Sequence, residues 1–91
     1  MDRRRILAKW VEKSGIARER EEIANRLESM VYEIKNYSSD IVFVDKIAET
    51  MLAMEKLIEV YGIDPKEVED EMNYQCLMIK HWIERSEDEI S

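Results

Sequence analysis

Glu21, Glu22, Glu28 and Glu49 are the residues of this chain whose type and spacing could do chemistry. Hard divalent cations such as Mg²⁺ take carboxylate oxygens, and a helix gathers carboxylates on one flank when they recur three or four residues apart. If the segments that carry them lie side by side, these four ionised groups could hold one ion. A cation held in that way activates water and offsets charge that grows on a phosphate. The competing reading is plain solvation. The chain has 21 Asp and Glu against 14 Lys and Arg, a net charge of −7, and glutamates opposite an apolar stripe commonly face water. Lys46 with Glu49 is equally an i, i+3 surface pair worth about a few tenths of a kcal/mol.

The other reactive residue types carry less. His81 is the only histidine and has no second ligand at metal spacing, which argues against zinc. Cys76, the only cysteine, falls on an apolar stripe, where a small buried side chain is expected and a nucleophile would lack a base. Arg3, Arg4 and Arg5, with Trp10 nearby, could touch a phosphate. Without a recognition motif they read as a solvated helix start, or in a dimer as a contact to the acidic second helix of the other copy.

The elements that must position these groups are all helical. Two glycines and one proline punctuate the 91 residues, and between them apolar residues recur at three and four. The pattern predicts one all-α domain over 1–91 with helices over 3–13, 16–36, 41–61 and 65–85 and a frayed acidic end. Ile6, Leu7, Trp10 and Val11 mark the apolar side of the first helix; Ile16, Ile23, Leu27, Met30, Val31 and Ile34 mark that of the second. Ile41-Val42-Phe43-Val44 could pass for a strand, but it has no partner strand and runs on at helical period into Ile47, Met51, Met54 and Ile58. Gly62 is placed to close the third helix in the left-handed conformation, with Ile63 packing back on it. Asp64-Pro65-Lys66-Glu67 then reads as a capping box with proline in the first turn. Val68, Met72, Cys76, Ile79 and Ile83 form the stripe of the fourth helix.

The acidic balance argues against nucleic acid and anionic membranes as partners, and no segment reaches the ~20 apolar residues of a membrane span. With no secretory pattern and a single cysteine, a soluble cytoplasmic chain is expected. The third helix is apolar beyond one stripe, at Ala48, Leu52, Ala53 and Val60, more than one small chain can cover. A homodimer built around helices three and four is therefore expected, a bundle-like domain pairing through its long central helices.

Glu21-Glu22-Ile23-Ala24-Asn25 and Lys46-Ile47-Ala48-Glu49 resemble the Glu-Glu-x-x-Glu and Glu-x-x-Asp motifs of the MazG-like, all-α nucleoside triphosphate pyrophosphohydrolases, short bacterial and phage type. The resemblance extends to Ala8-Lys9-Trp10 and to Leu57 through Glu67 with its Tyr-Gly-Ile-Asp hinge, and runs weakly to Arg85. It implies that Glu21, Glu22 and Glu49 bind Mg²⁺ and that the last helix meets the phosphates, where the nearest basic residues are Lys80 and Arg85. It implies cleavage of a nucleoside triphosphate to monophosphate and pyrophosphate. Three positions depart from the motif: Asn25 is a neutral amide, Lys46 is a cation and Glu49 is longer than Asp. The departures leave a second reading open, a non-catalytic acidic helical protein that binds a protein partner, such as a basic surface of a nucleic-acid enzyme, as some phage-encoded inhibitors do.

Overall fold

Short-range signals set the helix ends. In a computed structural model that describes residues 2–90, Asp2 accepts a bond from the Arg5 amide at 3.3 Å and starts α1 (Arg3–Ser14). Gly15, at φ 92°, turns the chain in a single residue into α2 (Ile16–Lys35), while its own N–H bonds Val11 O at 2.9 Å. That positive φ is a conformation a side chain would resist. Ser39 accepts from the Val42 amide at 3.3 Å and opens α3 (Asp40–Tyr61). Ile41 to Val44 lie inside that helix, and there is no strand among the described residues.

Gly62, at φ 64° and ψ 30°, ends α3 with the bond pair of a Schellman motif: its N–H reaches Glu59 O at 3.2 Å, and the Ile63 N–H reaches Ile58 O at 3.1 Å. Asp64 then accepts from the Lys66 amide at 3.0 Å and starts α4 (Pro65–Ile90). The helices expected over 3–13, 41–61 and 65–85 are thus each longer by one to five residues, with α4 continuing to Ile90; Ser91, the last residue of the end expected to fray, lies outside the described residues. Nothing between Arg85 and Ile90 breaks a helix: Gly and Pro are absent there, and glutamate propagates one well.

The architecture is all-α, with four helices among the described residues. Helices α2 and α3 run antiparallel, since Glu19 meets Lys56, Arg26 meets Glu49 and Ser29 meets Lys46. Helix α1 lies against α3, tied by Arg3 to Glu55 and Arg4 to Glu59. Val11, Ile23, Ala53 and Val60 are the buried apolar residues, with Leu27 and Leu57 packed against them. This core is small. Val31, Ile34 and Met51, expected on inward stripes, stay exposed because nothing among the described residues covers them.

Helix α4 departs after Gly62 and makes no extended contact with the other three. Among its residues whose burial is described, only Pro65, Val68 and Ser86 are half-buried. The molecule is accordingly elongated, 56 × 35 × 26 Å, with a radius of gyration of 17.1 Å, against about 12 Å for a compact chain of this length. No described helix is long and apolar enough to cross a membrane.

Candidate functional site

The sequence-derived site falls on the seam between α2 and α3. Glu22, Arg26 and Ser29 follow one another at four and three residues along one flank of α2, and Lys46 and Glu49 do so at three along α3. Arg26 Nε lies 3.2 Å from Glu22 Oε1, and Arg26 Nη1 lies 3.4 Å from Glu49 Oε2. Lys46 Nζ stands 3.5 Å from the same Glu49 oxygen and donates to Ser29 Oγ at 2.9 Å. The antiparallel register therefore brings Glu22 and Glu49 to one place, and Arg26 bridges them.

The other expected residues are elsewhere. Glu21 lines the groove on a different side of α2, with Arg20, Ala24, Leu27, Leu57 and Tyr61. Arg20 stacks over the Tyr61 ring there, 5.7 Å from its centroid. Asn25 and Glu28 are exposed. Lys80 pairs with Glu84 at 3.9 Å within α4, and it and Arg85 sit exposed on that helix. Among the described residues no three His, Cys, Asp or Glu side chains converge as metal ligands do. The donor set at Glu22 and Glu49 does not fit Mg²⁺: the space between the two carboxylates holds a guanidinium, with an ammonium beside it, and a hard cation needs oxygens there.

A second charged constellation on the same seam is not visible from motifs. Glu19 and Lys56 are both buried, 2% and 7% exposed, and pair at 2.6 Å. The Trp10 indole N–H donates to Glu19 Oε1 at 2.8 Å, and Lys56 Nζ lies 5.5 Å from the Trp10 ring centroid. Burial pushes the Glu19 carboxyl up, but Lys56 and the bonds from Ser14 and Trp10 outweigh it and hold the group below the ordinary carboxylate range. One pattern could have revealed the pair: Glu19 precedes Ile23 by four residues on the apolar stripe of α2, and Lys56 falls between Ala53 and Val60, the apolar positions of α3 beyond its main stripe. Charges set into apolar stripes on two neighbouring helices find one another.

Arg3 and Arg4 sit at an exposed helix start, and each pairs with a glutamate of α3. Arg3 makes a two-pronged contact with Glu55, at 2.8 and 2.7 Å, and Arg4 donates to Glu59 at 3.1 Å. The Arg3 bond holds the Glu55 carboxyl below its ordinary range. These pairs line a cleft with Leu7, Ile58 and Pro65. Both of its arginines are paired within the chain. Cys76, expected in a core, is exposed because α4 is uncovered. His81 is likewise exposed on α4, with Nδ1 3.9 Å from Glu84. No protein-family model, curated protein or solved structure matches this chain.

Proposed function

We propose that this chain is a MazG-like helical module that works without metal-dependent hydrolysis, as a dimeric, acidic interaction protein of the cytoplasm. The observation that carries this reading is the Glu22–Arg26–Glu49–Lys46 network. Where the resemblance calls for a cation between α2 and α3, the chain supplies two of its own. A self-neutralised carboxylate pair has little charge left to attract Mg²⁺, and without the ion the seam offers nothing to polarise a phosphate. What it does offer is surface: a net charge of −7 suited to a basic protein partner, and apolar helix faces that a second copy of the chain would cover.

The geometry of Glu22 and Glu49 also supports the second reading, Mg²⁺-dependent hydrolysis of nucleoside triphosphates. The two carboxylates face one place across the seam, and both arms of the Arg26 bridge are partly solvent-exposed. Arg26 would have to swing out for that activity to exist. Thermal melting with Mg²⁺ and a panel of nucleoside triphosphates separates the two, because a ligand that binds only the folded form raises the melting temperature. The expected result is no shift and no pyrophosphate release. A nucleotide-dependent rise, with pyrophosphate release lost in Glu22→Gln, would establish the second reading instead.

A further inference from the structure

We infer that α4 is a dimerisation arm, whose apolar stripe is covered by the same stripe of a second copy running antiparallel to it, with Cys76 of each chain at the two-fold axis. The inference rests on the dimeric reading above and specifies its seam.

The first argument is area. A folded monomer of 10.9 kDa exposes about 5,600 Å², whereas this chain exposes 7766 Å². The surplus of about 2,200 Å² exceeds the ~800 Å² per partner of a standard interface and falls where obligate homodimers lie. Much of it is α4, whose Met72, Leu77, Met78, Ile79 and Trp82 are 49% to 67% exposed. Its own chain offers no cover, since α4 leads away from the α1–α3 core. The stripe from Val68 to Ile83 is about 24 Å long, and the same stripe of a second α4 matches it in length.

The second argument is charge. Residues 66–71 carry one base, Lys66, against four acids, Glu67, Glu69, Asp70 and Glu71. Residues 81–86, the segment that a two-fold at Cys76 sets against 66–71, are neutral, with Arg85 against Glu84, and the acids Glu87, Asp88 and Glu89 follow them. Parallel pairing would stack the acidic segments 66–71 and 87–89 each on its own copy. Antiparallel pairing sets 66–71 against the neutral segment and places 87–89 opposite residues 63–65, at the start of the other α4.

The third argument is symmetry. A two-fold interface is self-complementary, so the middle of the stripe meets itself. The stripe runs from Val68 to Ile83, and Cys76 stands eight residues after the first and seven before the second. Its exposure in the single chain is what a residue awaiting that contact would show.

Sedimentation equilibrium gives the mass, and a short bis-maleimide applied to the unmodified protein reads the seam. The expected result is a dimer that crosslinks through Cys76, while Lys66→Cys in a Cys76→Ser background forms a dimer that does not crosslink. Met72→Glu, at a position exposed in the single chain, should weaken dimerisation at least about tenfold while α1–α3 stay folded. A monomeric mass overturns both the dimeric reading and the seam. A dimer that crosslinks through Lys66→Cys overturns the antiparallel order, and a dimer that crosslinks at neither position overturns the α4 seam and leaves the dimeric reading standing.

Discussion

Two charged clusters stitch α2 to α3, and they differ in one physical variable. Glu19 and Lys56 are sealed from water and roofed by Trp10, whereas Glu22, Arg26, Glu49 and Lys46 keep 27% to 47% of their side-chain surface exposed. Water decides what each can do. In the buried pair each ion depends on the other, because an unpaired charge in a dry site is costly. In the exposed network solvent competes with every contact, so each ion pair is worth at most about 1 kcal/mol. The first cluster therefore acts on stability and register, and the second sets the charge that an approaching ligand meets.

The largest effect that would sharpen this contrast is removal of one buried partner. Lys56→Met should destabilise the fold by about 3–5 kcal/mol, because Glu19 is left buried and uncompensated, while Glu19→Leu combined with Lys56→Met should recover most of that loss. Urea midpoints for the single and double variants measure it. If Lys56→Met costs as little as a surface change, the pair is not the pin described.

The same pair sets a pH dependence whose sign reverses with the mutation. Glu19 is held below the ordinary carboxylate range in the folded chain, so its contribution is present above about pH 4–5 and is lost as acidification protonates it. Denaturant midpoints should thus fall from about pH 6 to about pH 3. In Lys56→Met only the bonds from Ser14 and Trp10 are left to oppose burial, the largest influence on Glu19, so its folded pKa rises, its part of the slope inverts and acid relieves the strain. A parallel slope in the two proteins would contradict the assignment.

The smallest effect belongs to the exposed cluster. Arg26→Ala should cost less than about 1 kcal/mol, and less still in high salt. A loss comparable to that of Lys56→Met would erase the distinction between the clusters.

The contrast also explains which features could be read from the sequence. Helix ends were legible because their determinants are local: Gly15 and Gly62 at positive φ, Ser39 as a cap, and Asp64 before Pro65. Ile23 and Leu27 were legible as core for the same reason, since periodicity names an inward face. Periodicity does not say whether a face is covered, and so Val31, Ile34 and Met51 sit on stripes yet remain exposed. Side-chain partners across a seam depend on the register of two helices, which no single helix encodes. That is why motif spacing could name Glu22 and Glu49 together while the guanidinium between them was missed. Glu19 and Lys56 were passed over because their residue type suggested water, although their spacing suggested the core.

The central claim is that Arg26 and Lys46 take the place of a divalent cation between Glu22 and Glu49, and Mn²⁺ titration monitored by electron paramagnetic resonance tests it most directly. The account predicts no saturable site in the unmodified protein and the appearance of one in the Arg26→Gln, Lys46→Glu double variant, where a third carboxylate replaces the cations. Saturable Mn²⁺ binding by the unmodified chain, lost in Glu49→Gln, would contradict it.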